Sequence, residues 1–109
     1  MKYVGVWHII EMDMWDEDYC NIEVQAFIQV GLNGIGNFQF GLVSGGIDGE
    51  VVKTGNTERF EFTWEGQDEC DPALGSGWLR FSGKDKLKGR IKLHLGDSSE
   101  FFAVRAAGH

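Results

Sequence analysis

The fold is decided by residues 60–78, which read Phe-Glu-Phe-Thr-Trp-Glu-Gly-Gln-Asp-Glu-Cys-Asp-Pro-Ala-Leu-Gly-Ser-Gly-Trp. Large aromatic residues alternate with polar ones over Phe60, Phe62 and Trp64, a period of two that is typical of a strand with one buried face. The acids and the single proline that follow predict a loop over residues 67–77, and a second strand begins near Trp78. The acidic residues in and beside this loop are Glu65, Asp68, Glu69 and Asp71.

The same alternation recurs along the chain and predicts about eight short strands. Its clearest instance runs from Ile22 to Val30, where every second residue is apolar, so we predict a strand over that whole segment. Asn33-Gly34 is a hairpin signal, and Gly45-Gly46 predicts a further turn. The predicted strands cover residues 4–12, 22–30, 36–42, 47–52, 59–65, 77–82, 86–94 and 100–106.

Strands joined by short turns favour an all-β fold in a single domain over residues 1–109. We predict a small antiparallel up-and-down barrel, because closure of the sheet removes the exposed edges of its first and last strands. A β-sandwich is the alternative. The segment from Asp13 to Tyr19 is too acidic for a strand, and it predicts a loop or one helical turn that caps an end of the sheet.

The composition limits the partners that such a domain can bind. A formal net charge of −7 opposes binding to the phosphate backbone of nucleic acids. No apolar run reaches the ~20 residues of a membrane span, and the N-terminus does not resemble a signal peptide. We therefore expect a cytoplasmic protein, monomeric or homodimeric, with Cys20 and Cys70 as reduced thiols; a disulfide between them is the alternative. The glycine-rich stretches match neither a P-loop nor a dinucleotide fingerprint, so no cofactor is predicted.

Two acidic segments are candidates for a binding site at one end of the barrel. One covers residues 65–71, and the other runs from Asp13 to Asp18 and contains Trp15, either as a contact residue or as a lid. We predict a non-catalytic binding or interaction module for a small molecule or a protein. The predicted ligand-binding residues are Trp15, Asp16, Glu65, Asp68, Glu69 and Asp71.

Two other functions are compatible with the same residues. Glu65, Asp68 and His94 could serve as acid and base in a small enzyme, since such catalysis needs titratable groups in different environments. Asp68, Glu69 and Asp71 could instead bind a divalent cation such as calcium or magnesium, which prefers oxygen ligands. The acids also have a simpler interpretation, as solvated residues of surface turns.

Gly5-Val6-Trp7 resembles the Gly-x-Trp sequence that opens the first strand of calycin barrels, the group of lipocalins, fatty-acid-binding proteins and avidin-like proteins. This resemblance implies that a basic residue late in the last strand packs over the tryptophan, a part that Arg105 could take here. Residues 5–105 also resemble small bacterial proteins of unknown function. The motifs that carry this second resemblance are Trp15-Asp16, residues 38–41, residues 64–71 and residues 94–97. It implies no particular activity.

Overall fold

A computed structural model describes residues 2–106 of the chain. Antiparallel strands follow one another around a closed barrel, in which each strand pairs with the next and the last pairs with the first. The strands are β1 (Gly5–Met12), β2 (Phe27–Val30), β3 (Ile35–Phe40), β4 (Val43–Thr54), β5 (Thr57–Asp68), β6 (Asp71–Gly83), β7 (Lys86–Leu93) and β8 (Ser98–Arg105). One short helix, α1 (Glu17–Cys20), lies between β1 and β2. The predicted up-and-down barrel is therefore confirmed, and the β-sandwich alternative does not apply.

The pairing of β1 with β8 closes the barrel. Trp7 lies opposite Arg105, and the guanidinium carbon of Arg105 is 4.1 Å from the centroid of the Trp7 ring. At Gly5, which has a φ of 137°, a Cβ atom would lie 2.7 Å from Nη1 of Arg105. The glycine therefore leaves room for the cation that covers the tryptophan. The contact that the Gly-x-Trp resemblance implied is present.

Aromatic side chains fill the interior of the barrel. The predicted inward face of β5 is confirmed, since Phe60, Phe62 and Trp64 are all buried. The register places Gly77 of β6 beside Phe62 and Gly75 beside Trp64. Because these glycines carry no side chain, the rings of β5 extend over the neighbouring strand and the sheet curves around them. Other buried aromatic residues are Tyr3, Trp7, Phe38, Phe40 and Phe101.

The second strand is shorter than the alternation predicts, because β2 covers only Phe27–Val30. Ile22 and Val24 are 64% and 45% exposed, so the first half of the predicted strand is wrong. The backbone N–H of Ala26 donates a hydrogen bond to Oδ1 of Asn21 at 2.8 Å. A loop side chain thus takes the place of a neighbouring strand as the acceptor.

The fourth strand passes through the turn that was predicted at Gly45-Gly46. The chain reverses earlier, at Gly41, which has a φ of 57°. A Cβ at Gly45 would lie 3.0 Å from the ring of Trp64, so this glycine makes room for a core side chain within a strand. The predicted turn at Gly45-Gly46 is therefore wrong.

Tyr3 gives the barrel an expected sensitivity to alkaline pH. It is buried, with its ring centroid 4.9 Å from that of Phe81 and 5.8 Å from that of Phe60. Burial, and then the negative charge of Glu58, raise the pKa of Tyr3 to about 12. An unfolded chain releases this proton near pH ~10, whereas the folded protein retains it until higher pH. The free energy of unfolding should therefore fall by about 2 kcal/mol as the pH rises from about 10 to 12.

Urea denaturation of the natural protein and of Tyr3→Phe, repeated from pH about 9 to about 12, measures this effect. Phenylalanine cannot ionise, so the variant should lose less stability than the natural protein over the alkaline range, by the amount given above. Identical pH profiles for the two proteins would contradict the prediction.

Candidate functional site

Four connections lie at one end of the barrel, which we call the acidic end. They are residues 13–26, 41–42, 69–70 and 94–97, because β1, β3, β5 and β7 all run towards this end. None of them contains lysine or arginine. Their acidic residues are Asp13, Asp16, Glu17, Asp18, Glu23, Glu69 and Asp97, and Asp68 and Asp71 lie at the adjoining strand ends. The two acidic segments singled out in the sequence therefore lie at the same end, where they create a negative potential.

Hydrogen bonds join the two acidic segments through the turn between β3 and β4. The backbone N–H of Gly41 donates to the carbonyl oxygen of Cys20 at 2.8 Å, and that of Leu42 donates to the hydroxyl of Tyr19 at 3.3 Å. On the other side of the turn, the N–H of Glu69 donates to the carbonyl oxygen of Leu42 at 2.9 Å. The helix, the turn and the hairpin tip thus form one continuous surface.

Trp15 is a lid over the acidic end. Its ring centroid lies 4.9 Å from that of Phe40 and 6.4 Å from that of Tyr19, and its side chain is partly buried against the core. Asp16 begins α1 as its N-cap, with Oδ1 accepting a hydrogen bond from the N–H of Tyr19 at 2.9 Å. The cap fixes the start of the helix and thereby the position of the preceding tryptophan. The ring of Trp15 therefore covers this end of the barrel as a lid, and the same residue borders the crevice beside it.

A crevice of about 240 Å³ separates this lid from β1. Trp15 supplies an aromatic wall, and the carboxyl groups around the crevice belong to Glu11, Asp16 and Glu17. An aromatic face beside carboxylates attracts a cation in two ways, through the ring quadrupole and through charge. The volume is suited to a single side chain or a small amine rather than to a large ligand.

The hairpin between β5 and β6 is tighter than the sequence predicts. Only Glu69 and Cys70 lie outside the strands, and Glu69 has a φ of 57°. Asp68 and Asp71 are a cross-strand pair at the barrel rim, Gln67 belongs to β5, and residues 72–77 of the predicted loop belong to β6. The predicted loop over residues 67–77 is therefore wrong, because β5 and β6 pair with each other up to Asp68 and Asp71, while β4 flanks β5 over its whole length and β7 flanks β6 from Gly75 onward.

The candidate acid–base residues lie at the same end but on different faces. Glu65 and Asp68 are three residues apart in β5, so the alternation of a strand directs their side chains to opposite faces. The N–H of His94 donates to the carbonyl oxygen of Leu74, and Leu74 is the cross-strand partner of Glu65. Glu65 and His94 are thus separated by two strand spacings, roughly 10 Å. The three side chains do not converge on one cleft, so this geometry does not support the enzyme alternative.

Within residues 2–106, no three histidine, cysteine, aspartate or glutamate side chains are placed to hold a metal ion. This includes the candidate ligands Asp68, Glu69 and Asp71. Both cysteines are free thiols, with Cys20 buried and Cys70 exposed at the hairpin tip. Burial, and then the negative charge of Asp16, raise the pKa of the Cys20 thiol, which keeps it in its neutral and less reactive form.

Two residues of the site, Glu11 and Tyr19, were not predicted. The register of β1 against β8 shifts between Ile9 and Glu11, so consecutive residues Ile10 and Glu11 are both exposed. A period of two cannot predict that irregularity. Tyr19 did have a signal, because it follows Asp16 at the spacing of a helix N-cap and the first turn.

Comparison with known proteins finds no matching family model, no matching curated protein and no matching solved structure. Among residues 2–106, no helix is long and apolar enough to cross a membrane. By its fold and site, the molecule is a small closed antiparallel barrel with an acidic, aromatic-lidded end.

Proposed function

We propose that this barrel is a non-catalytic binding module, and that its acidic end holds a positively charged segment of a protein partner in the cytoplasm. The observation that carries the proposal is the crevice beside Trp15, which is bordered by the carboxyl groups of Glu11, Asp16 and Glu17 and lies at the same end of the barrel as residues 65–71. A lysine or arginine side chain entering this crevice would contact the indole ring and the carboxylates of Asp16 and Glu17. The free thiols of Cys20 and Cys70 suit a reducing compartment.

The shape of the molecule supports binding rather than catalysis. The crevice is small, and the side chains that could act as acid and base are distributed over opposite faces of the wall. A surface with one sign of charge accelerates the approach of an oppositely charged partner, and it repels nucleic acids. The partner that fits is therefore a basic protein segment.

Titration of the protein with a fluorescently labelled octalysine peptide tests the proposal, with octaglutamate as the control peptide. The test variant is D16N/E17Q, because asparagine caps a helix about as well as aspartate and the lid should remain in place. Loss of two partly exposed ion pairs should weaken octalysine binding about three- to tenfold. The matched control is E58Q/D85N, which removes the same charge from the opposite end of the barrel.

Binding that weakens equally in the two variants would show that octalysine responds to net charge alone, and would contradict the proposed site. Binding that is unchanged between about 0.15 M and 1 M salt would contradict the electrostatic basis, since the screening length falls from ~8 Å to ~3 Å over that range.

A further inference from the structure

A second surface lies on the outer wall formed by β4, β5, β6 and β7, and it shares no lining residue with the crevice beside Trp15. It is a groove of about 690 Å³. The cross-strand register arranges its outward side chains in rows that run perpendicular to the strands. One row consists of Asp48, Thr63, Ser76 and Lys92. The adjacent row consists of Glu50, Glu61, Trp78 and Arg90.

Charge is segregated across this wall. Each row begins with an acid on β4 and ends with a base on β7, so the negative and positive edges are three strand spacings apart, roughly 14 Å. Glu50 lies directly opposite Glu61, a like-charge pair that is unfavourable within one sheet. Glu61 has a partner in Arg59 at 2.8 Å. Within residues 2–106, no ion pair involves Asp48, Glu50 or Lys92.

We propose that this wall binds a second copy of the chain, with a two-fold axis that runs parallel to the strands between β5 and β6. Such an axis places β4 of each copy over β7 of the other. Each residue keeps its height along the strands, so residues of one row face residues of the same row in the partner. Asp48 then faces the partner's Lys92, and Glu50 faces the partner's Arg90. Asp48, Glu50 and Lys92, which have no ion pair in the single chain, thus gain partners across the axis, and each contact occurs twice. Arg90 also has a partner within its own chain, since its guanidinium lies 4.0 Å from a carboxylate oxygen of Glu100.

Two kinds of two-fold axis keep the strands of the two copies aligned, one parallel and one perpendicular to the strands, and the positions of the charges favour the parallel axis. An axis perpendicular to the strands would place β4 over β4, and the acids would face acids. Trp78 lies on β6, directly beside the proposed axis, where it can contact the equivalent ring of the partner. Aromatic residues are enriched at the centres of protein interfaces. The next row carries Arg59 on β5 and Arg80 on β6, each near Trp78. Because like charges of the two copies would face each other there, the contact is limited to the two rows described above.

A contact limited to two rows of mostly charged and polar side chains produces a weak, salt-sensitive dimer. Sedimentation equilibrium at about 200 μM protein should therefore show a mass above the 12.2 kDa of one chain, and a return to that mass near 1 M salt. The decisive proteins are D48K, K92E and the double variant D48K/K92E. Asp48 and Lys92 have no ion pair in the single chain, so each variant is expected to fold, and thermal unfolding verifies this.

Each single reversal brings like charges together at two symmetric contacts and should weaken self-association at least tenfold. An equimolar mixture of D48K and K92E should restore association, because an introduced lysine then faces an introduced glutamate. The double variant should also self-associate, at the same net charge as the natural protein. A natural protein that stays monomeric overturns the inference. Single variants that associate normally, or a mixture and a double variant that both remain monomeric, also overturn it.

Discussion

Gly75→Ala is expected to destabilise the barrel by about 3 kcal/mol. A Cβ atom at this position would overlap the carbonyl oxygen of Lys92 on the adjacent strand. It would also lie 2.7 Å from Nε1 of Trp64, the atom that donates a hydrogen bond to the same carbonyl at 3.1 Å. The methyl group therefore forces β6 away from β7 and displaces a core tryptophan. Neither neighbour can yield easily, because one is backbone and the other is enclosed by the core.

Thermal unfolding of Gly75→Ala should show a Tm lower by about 15 °C, given the usual conversion for a domain of this size. Gly46→Ala is the matched control, since Gly46 is also a strand glycine but a Cβ there would lie 3.7 Å from its nearest neighbour, the carbonyl oxygen of Gly36. That substitution should leave stability unchanged or raise it by up to ~1 kcal/mol, because alanine restricts the unfolded chain. A similar Tm for the two variants would contradict the explanation that Gly75 is required to make room for the ring of Trp64 and the backbone of β7.

Arg105→Ala is expected to cost about 2 kcal/mol, because it removes the cover of Trp7 at the seam between the first and last strands. The cation–π contact is worth ~0.5–2 kcal/mol. The guanidinium also donates from Nη1 to the carbonyl oxygen of Val4 at 3.1 Å and from Nε to Oδ1 of Asp85 at 2.8 Å. Arg105→Lys should recover about half of the loss, since an ammonium keeps the charge but cannot reach all these acceptors in one plane.

Denaturation with urea measures this cost, and Arg80→Ala is the control. Arg80 also lies over a tryptophan, with its guanidinium carbon 5.7 Å from the Trp78 ring, but on the exposed outer wall. Its removal should cost less than ~1 kcal/mol. If Arg105→Ala were no more destabilising than Arg80→Ala, the seam would not depend on this residue.

The local pattern of the sequence was sufficient for the faces of most strands. Phe60, Phe62 and Trp64 are buried as their alternation predicts, because successive side chains of a strand point to opposite sides whatever the strand pairs with. The helical turn after β1 was also predictable, from the acids that follow Asp16.

The limits of strands and turns were less predictable, because they depend on residues that are distant in the sequence. Gly45 is part of a strand since the ring of Trp64 lies beside it, whereas a pair of glycines in isolation suggests a turn. Ile22 and Val24 alternate like strand residues, yet they are exposed in a loop whose backbone is held by the side chain of Asn21.

The sequence by itself determined an all-β fold, its aromatic core and its acidic character, because these depend on the period and composition of the chain, whereas closure into a barrel rather than a sandwich is a property of the tertiary structure. Only the tertiary structure brought Trp15 and residues 68–71 to one surface, and only it separated Glu65 from His94. It also aligned Asp48 with Lys92 across four strands. The physical reason is that a strand's faces follow from its own residues, whereas its neighbours follow from register and from closure of the sheet.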